Sequence, residues 1–387
     1  MIEEMVSKGP TESRHYFDWA ASAIPDPSLL DAPWGNPSSA HREGREAREA
    51  LESARARCAS VLGVPPETLY FSSGGTESNC IPLYSWLARQ GGGRVIASAG
   101  EHSSITENVK CLARLGKAAG AIPLDPSGRV TPELLQKTLK KYGDVRFAAI
   151  MAVNNETGTV NDIAALNDVI RSGSGPPVHF HCDMVQAAGK IPAGPGSLGV
   201  DSASVSAHKI GGPRGIGLLY LRKPLEALYS GGGQENGIRP GTENVAGALA
   251  MAACLEGHAS PEKLEAEYAN ARRRWARLLG GLAKNSRCRL IPENRGIDDE
   301  GFSPYILQAA FRDVPGEVMA RALDDLGFAV STGSACSSAS PERPVLAAMG
   351  IEDSLSLEGI RISQGWSTAD AEIDLLLEAV SEVLEFL

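Results

Sequence analysis

Between Tyr70 and about Leu221 the chain alternates short, continuous apolar runs with longer amphipathic stretches. That alternation is the pattern of a parallel sheet flanked by crossover helices, and few other folds accommodate it. It predicts strands over Leu69–Phe71, Arg94–Ala97, Ala118–Pro123, Val145–Val153, Val178–Cys182, Ala203–Val205 and Gly217–Leu221. Ahead of them, His41–Leu62 reads as a helix, because Ala47, Leu51, Ala54, Cys58 and Val61 recur four, three, four and three residues apart. Thr131 opens another helix: Thr-Pro-Glu-Leu-Leu supplies a cap and then proline at the first helical position.

A chain of 387 residues that is 43% hydrophobic exceeds a single ordinary core. The expected class is α/β, with a large domain over residues 18–257 and a smaller α+β domain over residues 258–387. The boundary falls near His258–Pro261, followed by a charged helix (Glu262–Leu282), a few strand-like segments and a closing helix (Thr368–Leu387). Residues 1–17 are open to either domain.

Charge narrows the partners. Lys and Arg number 37 against 47 Asp and Glu, a net charge of -10, with no basic run, so nucleic acid is not expected to bind directly. Met1–Tyr16 is polar and carries Glu3, Glu4 and Glu12, unlike a secretory or transit signal. No stretch approaches the roughly 18 apolar residues of a membrane span. The seven cysteines are odd in number and lack close metal-type pairs, which fits a reducing compartment, with the cytoplasm expected. Cys58, Cys80, Cys111 and Cys254 read as small buried hydrophobes.

The chemistry-bearing residues cluster just past the predicted strands. Phe71 leads into Ser72-Ser73-Gly74-Gly75-Thr76-Glu77-Ser78, Ala97 to Glu101-His102, Val153 to Asn154-Asn155-Glu156, Cys182 to Asp183, and Val205 to Ser206-Ala207-His208-Lys209. Open α/β sheets bind ligands at the carboxyl ends of their strands, where these groups collect. Ser73–Thr76 reads either as a plain tight turn or as an anion cradle at a helix start, and no Gly-Lys-Ser/Thr comes after it to make it a P-loop. Lys209 reads either as a solvated charge or as a Schiff-base lysine. His179, His181 and Asp183 alternate along one strand face. A metal there lacks an evident fourth ligand, burial on the sheet face is the plainer use, and Asp183 could instead hold a protonated ring nitrogen. Cys336 sits in Ser331-Thr332-Gly333-Ser334-Ala335-Cys336-Ser337-Ser338-Ala339-Ser340 with no large apolar neighbour, which marks it as an accessible thiol.

Together these segments resemble the cysteine desulfurases of the class V aminotransferase family, fold-type I pyridoxal-phosphate enzymes. The likeness runs nearly end to end. It covers Asp18 with Ala20-Ala21, Gly35-Asn36-Pro37-Ser38-Ser39, Ser73–Ser78, Glu101-His102, Val153–Gly158, Asp183-Met184-Val185-Gln186 and Ser206–Lys209. It continues through Gly231-Gly232-Gly233-Gln234-Glu235, Arg239-Pro240-Gly241-Thr242-Glu243-Asn244, the Cys336 loop and Arg361-Ile362-Ser363. The cysteine loop resembles that of the subgroup with a long flexible loop.

The resemblance implies a fold-type I transferase, a homodimer, pyridoxal 5′-phosphate as cofactor and L-cysteine as substrate. It implies sulfur delivery to acceptor proteins, such as those of iron–sulfur cluster assembly or tRNA thiolation. By the same likeness, Lys209 carries the cofactor and shuttles protons. Asp183 pairs with the ring nitrogen, His102 stacks on the ring as an acid or base, and Gln186 meets the ring hydroxyl. Gly75, Thr76, Ser206 and His208 hold the phosphate, with Thr242 reaching in from a second subunit. Asn155 contacts the cofactor or the substrate carboxylate, Arg361 with Asn36 binds that carboxylate, and Cys336 takes the sulfur. No metal is implied. The chain departs from the pattern at Gly211, Arg214, Asn236, Pro240 and Trp366, where tyrosine, lysine, arginine, serine and arginine are usual. The competing readings are a selenocysteine lyase, another pyridoxal-phosphate lyase or aminotransferase, and a non-catalytic scaffold.

Overall fold

The computed structural model describes residues 15–19, 32–33, 35–88, 92–173, 175–227, 229–333 and 343–387. Cys336, Ala20 and Ala21 lie outside the described residues.

Twelve strands are formed among those residues. Strand β1 (His15–Tyr16) comes first, and seven others build the central sheet: β2 (Leu69–Ser72), β3 (Arg94–Ser98), β4 (Ala118–Ile122), β5 (Val145–Ala149), β6 (His179–Asp183), β7 (Ser202–Ser206) and β8 (Gly217–Leu221). Their order is β2-β8-β7-β6-β5-β3-β4. All run parallel except β8, which is antiparallel to both its neighbours. Strands buried on both faces need unbroken apolar sequence, and β6 to β8 are buried almost throughout. The order reverses between β3 and β5, which opens a crevice at their carboxyl ends.

Helix α1 (Arg42–Leu62) buries Ala47, Leu51, Ala54 and Cys58, the residues whose spacing predicts it. His41 caps its start through Nδ1, and Gly63 ends it at φ 66, a left-handed conformation that glycine adopts without strain. Helices α2 (Gly75–Ala88) and α3 (Ser103–Arg114) come after β2 and β3 and pack on each other. The Thr131 hydroxyl caps Pro132–Tyr142 as the sequence predicts, accepting from Leu134 N–H at 3.3 Å.

Two expectations need correction. The strand predicted over Val145–Val153 ends at Ala149, because the Met151 N–H turns away to the buried Glu101 carboxyl, 2.7 Å distant. Cys80 and Cys111 are half-buried rather than core residues, whereas Cys58 and Cys254 are buried.

Later in the chain, β9 (Cys288–Ile291), β10 (Ile306–Phe311) and β12 (Gly359–Ser363) form an antiparallel sheet ordered β12-β10-β9, while β11 (Phe328–Ala329) pairs in parallel with β1. Phe17 therefore joins the apolar cluster of Trp275, Leu307, Phe311 and Leu376, apart from the larger cluster around the central sheet. The helix Pro261–Leu282 touches both clusters, through Ala271 on one side and Trp275 on the other. Among the described residues no helix is long and apolar enough to cross a membrane.

Candidate active site

A cavity of about 460 Å³ opens at the carboxyl ends of the parallel strands. Its lining includes Gly75, Thr76, His102, Asn155, Asp183, Gln186, Ser206, His208, Lys209 and Arg361. Asn36 and Thr242 are exposed and lie outside that lining, the Asn36 side-chain oxygen accepting from Ser38 N–H at 2.9 Å.

One end of the cavity is built to receive an anion. Helix α2 begins there, so the N–H groups of its first turn point out of the helix without intrahelical acceptors. The backbone is pressed tight: a Cβ on Gly75 would stand 2.7 Å from Val185 Cγ2, and one on Gly217 would stand 2.7 Å from Gly74 Cα. The hydroxyls of Thr76 and Ser206 join these donors, with Ser206 Oγ 2.8 Å from His208 Nδ1. Burial first, then the charges of Lys209, Arg214, Lys190 and His102, push the His208 imidazole down to about 4. It is therefore neutral at pH 7, and the positive character of this end comes from the helix start and the neighbouring cations.

Asp183 closes β6 and is buried. Its Oδ1 accepts from Val185 N–H at 2.9 Å and its Oδ2 from Asn79 Nδ2 at 2.8 Å. Across the order reversal, His102 lies beyond β3 and caps α3, its Nδ1 accepting from Ser104 N–H at 3.1 Å. Burial holds this imidazole below its usual range, opposed by Asp183 and reinforced by Lys209. Behind both lies Glu101, which burial and then Asp183 hold well above the carboxylate range.

Lys209 stands on a short turn straight after β7. A second lysine, Lys190, is buried beside it and donates to Gln186 Oε1 at 2.8 Å. Burial, followed by the charges of Lys209 and Arg361, pushes the Lys190 amine down to about 7. In its ammonium form Lys190 can only donate, and that form holds the carbonyl end of the Gln186 amide.

The opposite end of the cavity depends on one side chain. Arg361, 2% exposed, comes from β12 in the C-terminal sheet. Its guanidinium donates to the Asn155 carbonyl at 2.9 Å, Asp18 Oδ1 at 3.0 Å and Ser331 Oγ at 3.2 Å. Its Nε is buried without a hydrogen-bond partner among the described residues. A carboxylate entering the cavity meets a preformed cation there.

Sequence reasoning missed Asn79, Ser104 and Lys190. Asn79 and Ser104 line the cavity and Lys190 sits against it. The imidazoles of His179 and His181, weighed as metal ligands, are instead hydrogen-bonded to Ser202 and, for His181, to Asn79. Among the described residues no cluster of histidine, cysteine and acidic groups is placed to hold a metal.

A parallel-sheet transferase fold with an amine, an acid, an imidazole and an anion cradle around one cavity defines a class of carbonyl-cofactor enzymes. The aminotransferase class-V family matches residues 15–376, and the chain belongs to that family. It is 37% identical over 390 residues to a NifS/IcsS protein homolog of Lactobacillus delbrueckii subsp. bulgaricus, covering 96% of this chain and 97% of the relative. It is 36% identical over 382 residues to the cysteine desulfurase IscS of Vibrio cholerae serotype O1, covering 94% of this chain and 91% of the relative. Among solved structures, a NifS-like protein superposes with a TM-score of 0.86 at 32% identity, covering 97% of this chain and all of the other.

The cofactor of this family is pyridoxal 5′-phosphate. The residues present fit it: donors and a glycine cradle for a phosphate, a buried carboxylate for a protonated ring nitrogen, and a lysine for the aldehyde.

Proposed function

We propose that this chain is a pyridoxal-phosphate-dependent cysteine desulfurase that converts L-cysteine to L-alanine and collects the sulfur on Cys336 as a persulfide. The carrying observation is the convergence of Lys209, Asp183, His102 and Arg361 on one cavity in a chain whose relatives are named cysteine desulfurases.

Gly75, Thr76, Ser206 and His208 would hold the phosphate, Asp183 the ring nitrogen, Gln186 the ring hydroxyl and Lys209 the aldehyde carbon, with His102 covering the ring. When bound, the cofactor supplies an electron sink for the carbon chain of the substrate. Arg361 grips the substrate carboxylate, aided by Asn155 and Asn36, and so orients the α-carbon towards Lys209, whose amine takes the α-proton. The Cys336 thiolate then attacks the substrate sulfur. An S–S bond forms as the C–S bond breaks, the bonding pair stays with the β-carbon, which takes a proton, and Lys209 returns a proton to the α-carbon to complete alanine. A free thiol with a pKa of about 8.5 is only a few per cent thiolate at neutral pH, so Cys336 must pass its proton to His102 or to the substrate. The persulfide then serves acceptor proteins, such as those of iron–sulfur cluster assembly or tRNA thiolation.

We also propose a homodimer in which Thr242 reaches the phosphate of the partner's site; the exposure of Gly231–Gly233, Gly241 and Thr242 supports this. The division into residues 18–257 and 258–387 is supported by two apolar clusters, the first drawn mostly from residues before 258 and the second mostly from residues after it, with Phe17 grouped with the second. The cytoplasm is the proposed compartment.

The test is to incubate the purified protein with pyridoxal phosphate, cysteine and a reductant, and to measure alanine and sulfide. Wild type is expected to be yellow and active, Lys209→Ala to lack the yellow band, and Cys336→Ala to stay yellow while releasing little sulfide. A fully active Cys336→Ala would point to an aminotransferase or a different lyase and end this reading.

A further inference from the structure

The proposed chemistry uses Asp183 and His102 and leaves idle two polar side chains packed directly behind them. Asn79, on α2, is 1% exposed and His181, on β6, is 0% exposed. Buried polar groups cost stability unless they are hydrogen-bonded, and here an acceptor-only carboxylate sets the direction of the contacts that lead to it. A carboxylate can only accept, so the Asn79 atom 2.8 Å from Asp183 Oδ2 is the amide nitrogen. That nitrogen spends a second hydrogen on Ser104 Oγ at 2.9 Å. The Asn79 oxygen therefore faces His181 Nε2 at 2.9 Å, and this imidazole must carry its hydrogen there. In a neutral ring His181 Nδ1 is then an acceptor and takes the Ser202 hydroxyl hydrogen at 2.8 Å, which leaves Ser202 Oγ to accept from His179 Nε2, also at 2.8 Å. On the other branch, Ser104 Oγ has accepted from Asn79, and its own hydrogen points to His102 Nδ1 at 2.8 Å.

We propose that Asn79 and His181 are a positioning pair: His181 fixes the Asn79 amide one way round, and Asn79 in turn aims the Asp183 carboxylate at the cofactor ring and ties it, through Ser104, to the His102 imidazole. This inference rests on the proposed reading of the chain as a pyridoxal-phosphate enzyme. The string runs in one sense from His181 to the cavity and is set by the negative charge on Asp183. Burial pushes the His181 imidazole down to about 3, which suits a neutral ring serving as a fixed donor.

The experiment uses the pyridoxal-phosphate-loaded protein, with 15N in its histidines and in the pyridine nitrogen, in the absence of cysteine. Proton–nitrogen NMR reads the His181 tautomer, assigned through the His181→Gln variant, and the protonation of the ring nitrogen. The expected wild type has His181 protonated at Nε2 only and a protonated ring nitrogen. Asn79→Asp, which keeps the shape and removes the donor, sets two carboxylates against one another. It is expected to lose part of the ring protonation and to lower turnover about 10- to 100-fold, the scale seen when an orienting partner is removed, with little change in KM for cysteine. His181→Leu should behave likewise, whereas His181→Gln, which can still present an N–H to Asn79, should keep the ring protonated. A role confined to packing would move turnover and stability in all three variants without separating glutamine from leucine. Wild-type His181 protonated at Nδ1, or an Asn79→Asp protein with unchanged ring protonation and turnover, would overturn the proposal. The wild-type tautomer decides the matter even where a variant fails to fold. A wild type that shows the expected tautomer but yields no sulfide would sink the desulfurase reading alone.

Discussion

The two ends of the cavity are built on opposite plans. At the glycine-rich end, many small donors are gathered for the proposed phosphate: the first-turn N–H groups of α2, the hydroxyls of Thr76 and Ser206, and His208, all carried by one continuous sheet. At the far end a single guanidinium does the work, delivered by β12 from a separate sheet and held by groups distant in sequence, Asp18, Asn155 and Ser331. Redundant donors tolerate the loss of any one. A lone cation does not, so cofactor retention should be robust where substrate choice is brittle.

The largest effect should come from Arg361→Ala. A hydrogen bond to a charged group contributes about 1.5–3 kcal/mol, so kcat/KM for cysteine should fall roughly 10- to 150-fold while the yellow band is unchanged. Steady-state kinetics alongside absorbance check this, and loss of colour with KM intact would break the division between the two ends.

The layer beneath the glycine-rich end gives an effect of similar size through pH. His181 is held at about 3 when folded against an ordinary 6.5, so below pH 6.5 the unfolded chain binds a proton that the native state refuses. Stability is therefore lost as the pH falls from 6.5 towards 3, by about 2 kcal/mol between pH 7 and pH 5 from this group. Urea unfolding at both pH values should show that loss shrinking by about the same amount in His181→Gln, which has no group to titrate. Equal losses in the two proteins would place the penalty elsewhere.

The smallest effect should be Thr76→Ala. With several donors on one phosphate, removing one hydroxyl should cost about 1 kcal/mol, roughly fivefold in cofactor affinity by equilibrium dialysis, with KM for cysteine unmoved. A hundredfold loss would show that the cradle is not redundant.

The contrast also explains what could be read from the chain. The sheet side of the cavity was legible because it lies beyond apolar strands: Thr76, His102, Asp183 and Lys209 each stand just past a run that a buried parallel strand demands. Arg361 carries no such flag, since Gly-Ile-Arg-Ile-Ser looks like any half-buried strand, and only resemblance singled it out. Asn79 was hidden for a different reason. It lies inside a mostly apolar helix, where a lone amide reads as an ordinary helical residue. The usable signal was physical: an amide on a helix buried against a sheet must have partners on that sheet. The reversed direction of β8 and the pairing of β1 with β11 join segments far apart in sequence, and local periodicity holds no information on either.

The lacing of Asp18 to Arg361 has a consequence for how the protein is made. A chain emerging from the ribosome presents every strand of the seven-stranded sheet by Leu221, some 140 residues before Arg361 appears. Asp18 must then wait for a residue 343 positions later before the arginine gains this half-buried carboxylate. The proposed substrate grip is thus assembled late, after the sheet that bears the proposed cofactor cradle, and a shortened product lacking β12 would be without that grip.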